Sequence, residues 1–185
     1  MLEAFLVSTG LVALAEMGDK TQLLSLVLAA RFRKPWPIVA GILVSTLVNH
    51  AAAGALGAWI TRMVGLDLMV KVAGASFLAM AAWALIPDKI DSEDAAKTYG
   101  GVFMTTVFLF FMAEMGDKTQ VATVALAARY PSLVAVVAGT TLGMMLANVP
   151  VVFFGGAIAK KVPLAIVRKV AAFAFAVLGV LALAA

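Results

Sequence analysis

Long apolar runs, separated by short breaks of charged residues and prolines, dominate the chain. Each run predicts one membrane-spanning helix, because a hydrocarbon core about 30 Å thick is crossed by about 20 apolar residues. The six predicted spans are Leu2–Ala29, Ile38–Ile60, Leu68–Ile86, Gly101–Ala128, Leu133–Ile158 and Leu164–Ala184. The predicted fold class is therefore an all-α integral membrane protein with six transmembrane helices.

The composition excludes several other classes of protein. Hydrophobic residues make up 64% of the 185 residues and charged residues only 13%, which is far from the composition of a soluble domain. The absence of Cys, together with a single His, excludes disulfide frameworks, thiolate metal sites and thiol nucleophiles. The net charge of +4 is dispersed, so nucleic acid is not an expected partner. We expect a lipid bilayer and ions as partners, with neither a cofactor nor an enzymatic activity.

An internal repeat divides the chain into two halves. The eight residues Ala15–Gln22 recur unchanged as Ala113–Gln120, an offset of 98 positions. We therefore predict a first three-helix repeat at residues 1–86, a linker at 87–99 and a second three-helix repeat at 100–185. Because three spans is an odd number, the second copy enters the membrane from the opposite side. Such inverted repeats are typical of secondary transporters.

The distribution of Lys and Arg predicts the orientation of the chain, because cytoplasmic loops carry an excess of these residues. Three of them lie on one predicted side: Arg62, Lys71 and Arg129. Nine lie on the other: Arg31, Arg33, Lys34, Lys89, Lys97, Lys160, Lys161, Arg168 and Lys169. The linker is therefore predicted to be cytoplasmic, with both termini outside.

The repeated motif places charged side chains near the middle of two predicted spans. Six such charges would cost on the order of 15 kcal/mol if they were unpaired, so they are expected to face one another or a cavity. Residues three and four apart share a helix face, which predicts that the acids and the lysine of one motif project together. These residues are Glu16, Asp19 and Lys20 in the first copy and Glu114, Asp117 and Lys118 in the second.

The pseudo-two-fold axis is expected to gather four carboxylates and two ammonium groups at the midplane. Their formal charge of −2 would be neutralised by one divalent cation or by two protons. Gly18 and Gly116 indicate a local unwinding of the helices, which would free backbone carbonyls for coordination. Further neutral oxygens are expected from Thr21, Gln22, Thr119 and Gln120. Oxygen ligands of this kind favour Ca²⁺, Mn²⁺ or Mg²⁺.

Other interpretations of these residues stay open from the sequence. Glu16–Lys20 and Glu114–Lys118 could be structural ion pairs between helices. Met17 and Met115 could supply a thioether ligand or simply pack in the membrane. His50, beside Asn49 and equivalent to Asn148 in the second copy, could relay protons, support the site, or form a hydrogen bond between helices.

The twin Glu-Met-Gly-Asp-Lys-Thr segments resemble the E-x-G-D-[KR]-[TS] signatures of the GDT family of membrane proteins, and the resemblance covers essentially the whole chain. It implies a cation/proton exchanger that moves Mn²⁺, and in some members Ca²⁺, out of the cytosol. By motif position, the cation-binding acids would be Glu16, Asp19, Glu114 and Asp117. The chain lacks the long N-terminal extension of organellar members, which favours a bacterial inner membrane. The family is also similar to the lysine-exporter superfamily.

The favoured interpretation is a transporter that exchanges Mn²⁺, or Ca²⁺, for protons by alternating access. Two alternatives remain at this stage. The first is an exporter of cationic amino acids or organic cations that uses the same acidic cluster. The second is a non-transporting membrane scaffold whose buried ion pairs are structural. The sequence is compatible with a homo-oligomer and does not fix the oligomeric state.

Overall fold

The computed structural model describes residues 1–86, 98–155 and 164–184, and within these ranges all regular secondary structure is helical. The helices of the first half are α1 (Leu2–Glu16), α2 (Lys20–Phe32), α3 (Pro35–Val64) and α4 (Leu66–Trp83). Those of the second half are α5 (Val102–Glu114), α6 (Lys118–Arg129), α7 (Leu133–Phe154) and α8 (Leu164–Ala184).

Four of the described helices are long and apolar enough to cross a membrane: α3, α4, α7 and α8. They coincide with the second, third, fifth and sixth predicted spans. The first and fourth predicted spans are not continuous helices, because each is interrupted inside its repeated motif and becomes a pair of shorter helices. Residues 87–97 of the predicted linker and residues 156–158 of the fifth predicted span lie outside the described part of the chain.

The packing of the two halves is reciprocal. Helix α1 packs against α7, and its repeat counterpart α5 packs against α3, while α4 packs against its own counterpart α8. Glycines allow the close approaches: a Cβ at Gly139 would lie 2.5 Å from the carbonyl oxygen of Phe5, and one at Gly41 would lie 2.6 Å from Cβ of Thr106. Gly41 and Gly139 are repeat equivalents, and close helix packing at such small residues is common in membrane proteins.

Large apolar side chains cover the outer surface of the bundle. Examples that are about half exposed or more are Leu47, Trp59, Phe154, Phe173 and Leu181. In contrast, the interior contains many buried polar residues, including Glu16, Glu114 and Asn148. An apolar exterior around a polar interior is the distribution expected when the surrounding solvent is hydrocarbon.

Candidate cation-binding site

The two repeated motifs follow nearly the same backbone path. Helix α1 ends at Glu16, Met17 is extended, Gly18 has a φ of 83°, and α2 begins after Asp19. In the second copy α5 ends at Glu114, and Gly116 has a φ of 76°. These positive φ angles are accessible to Gly at little cost and disfavoured for other residues. The local unwinding predicted at both glycines is therefore confirmed.

The glutamine of each motif accepts a hydrogen bond from a backbone N–H that the helix break exposes. The amide N–H of Gly18 donates to Oε1 of Gln22 at 2.9 Å, and that of Gly116 donates to Oε1 of Gln120 at 2.7 Å. A buried N–H without a partner would be costly, so these bonds stabilise the break. The two glutamine oxygens, predicted as neutral groups near the cation, are directed to the backbone in this conformation.

The ion pairs of the site join the two copies. Nζ of Lys118 lies 2.6 Å from Oδ1 of Asp19, and Nζ of Lys20 lies 3.2 Å from Oδ1 of Asp117. The prediction that the acids and lysine of one motif share a helix face is wrong, because the helix stops between the glutamate and the lysine. The ion pairs considered from the sequence, Glu16–Lys20 and Glu114–Lys118, are accordingly replaced by pairs between motifs.

Three of the four predicted cation ligands converge. One carboxylate oxygen from each of Glu16, Asp19 and Asp117 lies within 4.8 Å of the other two, and all three residues are buried. We call these three residues the acidic cluster. The Thr21 hydroxyl donates a hydrogen bond to Oε2 of Glu16, whereas Oε1 of Glu16 accepts none from the described residues. Such a set of carboxylates is suited to a hard divalent cation.

The fourth predicted ligand, Glu114, is held elsewhere. Its Oε1 accepts a hydrogen bond of 2.7 Å from the Thr46 hydroxyl, and its Oε2 accepts one of 3.1 Å from Nδ2 of Asn49. Both donors belong to α3. The sequence interpretation singled out Asn49 and missed Thr46, although a threonine one turn before Asn49 in an apolar span was the available signal.

The remaining predicted residues surround the site without joining the acidic cluster. Asn148 accepts a hydrogen bond of 2.7 Å from the Ser25 hydroxyl, which links α2 to α7. His50 is buried, and neither of its ring nitrogens has a hydrogen-bond partner among the described residues. Thr119 is buried in the first turn of α6, where its carbonyl accepts a hydrogen bond from Thr123.

A small cleft reaches Asp19 of the acidic cluster. It lies between the break of the first motif, the end of α4 and the first turns of α8. Its lining includes Met17, Asp19, Ala84, Ile86, Lys118 and Arg168. The cleft therefore joins Asp19 to the end of the bundle at which α4 terminates.

Comparison with known protein families identifies the chain. The family model described as "Divalent cation/proton antiporter GDT1" matches residues 4–92 and 102–185, and so includes both motifs. The chain belongs to the GDT1 family. This confirms the membership predicted from the twin motifs and places the chain in a family of transporters rather than of enzymes. A GDT1 member with long apolar helices and an apolar exterior is an integral membrane protein.

Similar proteins occur in bacteria and plants. A Vibrio cholerae protein named "Putative manganese exporter" is 51% identical over 176 residues, which is 95% of this chain and 88% of that protein. The "GDT1-like protein sll0615" of Synechocystis is 28% identical, with 88% of this chain and 87% of that protein covered. The "GDT1-like protein 4" of Oryza sativa subsp. indica is 26% identical over 88% of this chain and 66% of its own length. No solved structure matches this GDT1 member.

Proposed function

We propose that this protein exports Mn²⁺ from the cytoplasm in exchange for protons, with Ca²⁺ as a second candidate substrate. The observation that carries the proposal is the acidic cluster, in which Glu16 and Asp19 of one motif meet Asp117 of the other within 4.8 Å. Membership of a divalent cation/proton antiporter family supports the reaction class. The name of the Vibrio cholerae relative supports Mn²⁺ as the substrate.

In this proposal the chain crosses the membrane six times. Helices α1 and α2 form one broken span, α5 and α6 form another, and α3, α4, α7 and α8 supply the remaining four. The repeats at residues 1–86 and 100–185 are inverted relative to each other. Reciprocal interactions support this arrangement, since Lys20–Asp117 and Lys118–Asp19 are repeat equivalents.

The proposed orientation places residues 87–99 in the cytoplasm and both termini outside, in a bacterial inner membrane. The excess of Lys and Arg on the linker side supports it. Because α4 runs into this linker, the cleft beside Asp19 and Lys118 then faces the cytoplasm. Mn²⁺ would reach the acidic cluster from the cytosol, as export requires.

Exchange follows from the charge of the buried groups. Glu16, Asp19, Glu114 and Asp117 carry four negative charges, and Lys20 and Lys118 carry two positive charges. One Mn²⁺ or two protons neutralise the net charge of −2. A neutral site reorients across the membrane more readily than a charged one. In the absence of the metal, the two lysines neutralise Asp19 and Asp117.

The compact cluster also bears on the size of the substrate. Three oxygens within 4.8 Å fit around a single ion. A cationic amino acid would require room for a backbone and a side chain beside the same carboxylates. The geometry therefore supports a monatomic cation.

The test is Mn²⁺ flux in proteoliposomes that contain the purified protein and carry an imposed pH gradient. We expect Mn²⁺ to accumulate in the compartment of lower pH. Asp117→Asn is expected to abolish this flux while the protein still inserts and folds. The matched control is Asp67→Asn, which makes the same change at an exposed carboxylate in the first turn of α4.

The control variant is expected to transport Mn²⁺ like the wild type. Normal Mn²⁺ flux in Asp117→Asn would exclude the acidic cluster as the transport site. Flux that is insensitive to the pH gradient would exclude proton exchange.

A further inference from the structure

The two glutamates of the repeated motifs have different partners. Glu16 lies in the acidic cluster and accepts a hydrogen bond from Thr21 of its own motif. Glu114 accepts hydrogen bonds from Thr46 and Asn49 on α3, in the other repeat. We call Thr46 and Asn49 the α3 clamp. The reciprocity seen in the backbone and in the ion pairs is broken at this point.

The sequence explains the difference. The repeat equivalents of Thr46 and Asn49 are Met144 and Ala147 on α7, and neither of these side chains can donate a conventional hydrogen bond. These two positions of α7 therefore cannot hold Glu16 as Thr46 and Asn49 hold Glu114. The clamp is a property of one half only.

All three members of the clamped group are buried, with Glu114 at 1%, Asn49 at 2% and Thr46 at 0% exposure. Hydrogen bonds to a carboxylate are strong in such surroundings, and each oxygen of Glu114 receives one. The side chain is thus retained on α3, apart from the three converging carboxylates.

We propose that Thr46 and Asn49 are positioning residues that keep Glu114 out of the acidic cluster in this conformation, so that Mn²⁺ is bound by three carboxylates rather than four. This inference rests on the proposed function. The affinity of oxygen-ligand sites rises with the number of charged ligands. Withholding the fourth carboxylate keeps the affinity low enough for rapid release.

The test combines calorimetric titration of the purified full-length protein with MnCl₂ and measurement of Mn²⁺ flux in proteoliposomes. Thr46→Val removes the donor hydroxyl with little change of shape, and Thr46→Ser retains it. Thr106→Val is the matched control, because the Thr106 hydroxyl is buried and donates only to the carbonyl of Val102 in its own helix. Asn49→Leu removes the second donor and tests the clamp independently.

If Glu114 is released into the acidic cluster, Mn²⁺ should bind more tightly and be transported more slowly. Loss of a purely structural hydrogen bond would not tighten Mn²⁺ binding. The loss of one hydrogen bond to a charged group corresponds to about tenfold in an equilibrium constant, so Thr46→Val is expected to lower the Kd for Mn²⁺ about tenfold and to slow Mn²⁺ flux similarly. Asn49→Leu should act in the same direction. Thr46→Ser and Thr106→Val should retain the wild-type Kd and flux.

A second substitution shows whether Glu114 causes the tighter Mn²⁺ binding of Thr46→Val. In Thr46→Val combined with Glu114→Gln, the tighter binding should disappear, because the amide adds no charge to the site. The proposed role of the α3 clamp would be overturned if Thr46→Val and Asn49→Leu both left the Kd for Mn²⁺ unchanged. It would also be overturned if the tighter Mn²⁺ binding persisted with Glu114→Gln. A wild-type protein that neither binds nor transports Mn²⁺ would instead overturn the proposed function.

Discussion

Nζ of Lys118 lies 2.6 Å from Oδ1 of Asp19, so a lysine of the second repeat neutralises an acid of the first. The equivalent pair, Lys20 with Asp117, is longer at 3.2 Å. The Lys118 side chain is only 5% exposed, against 28% for Lys20. The acidic cluster is therefore assembled jointly by the two halves, and its two lysines are not equivalent.

Removal of the buried lysine is expected to be the more damaging of two matched substitutions. Lys118→Gln removes one partner of a buried ion pair, the ammonium group 2.6 Å from Oδ1 of Asp19, which corresponds to a loss of about 3–5 kcal/mol of stability in the metal-free protein. Lys20→Gln is expected to cost less, because the Lys20 side chain is 28% exposed and water can take the place of its ammonium group beside Asp117. Thermal unfolding of the two variants in detergent, without Mn²⁺, measures the difference.

Mn²⁺ provides a control for this comparison. Added Mn²⁺ is expected to reduce the difference in stability between Lys118→Gln and Lys20→Gln, because the ion neutralises Asp19 in place of the ammonium group. Equal destabilisation by Lys118→Gln and Lys20→Gln would contradict the asymmetry of the two ion pairs.

The break in the second motif depends on the backbone conformation of Gly116. A Cβ at this residue would meet no atom within 4 Å, so Gly116→Ala costs only conformational energy, of about 1–2 kcal/mol. Gly10 has equally open surroundings but lies inside α1, where Ala is the better helix former by about 1 kcal/mol. Unfolding measurements should find Gly116→Ala destabilising and Gly10→Ala stabilising. A gain of stability in both variants would show that the interruption between α5 and α6 does not depend on glycine at position 116.

Several features of the site could be predicted from the sequence. The exact recurrence of eight residues indicated a duplicated unit, and glycine inside a charged segment indicated an interrupted helix. The interruption follows from local chemistry, because Gly adopts a positive φ and Gln22 or Gln120 lies four residues further on to accept the exposed N–H. Local chemistry of this kind can be inferred from residues that are close together in the sequence.

The partners of the charged groups could not be predicted in the same way. The helical-face argument assumed a continuous helix through Glu16 and Lys20, and the break removes that assumption. Which lysine meets which aspartate depends on how the two halves pack. Similarly, the contact between Thr46 and Glu114 joins residues 68 positions apart, and nothing local to either residue indicates it.

The proposed orientation can be tested by labelling, since the chain contains no Cys and a single introduced Cys is unambiguous. Met63, near the end of α3, and Leu85, just beyond α4, are both exposed and lie toward opposite ends of α4. In intact cells a membrane-impermeant maleimide should label Met63→Cys and spare Leu85→Cys until the membrane is opened. The reverse pattern would place the linker outside and invert the proposed direction of transport.

Metal-dependent proton movement in proteoliposomes with an internal pH dye is the most direct measurement of the proposed exchange. Mn²⁺, Ca²⁺, Mg²⁺ and lysine would be added in turn to wild type, Asp117→Asn and Asp67→Asn. We predict proton movement that depends on Mn²⁺, persists in Asp67→Asn and disappears in Asp117→Asn. A response to lysine alone, or none to any metal, would contradict exchange of a divalent cation for protons at the acidic cluster.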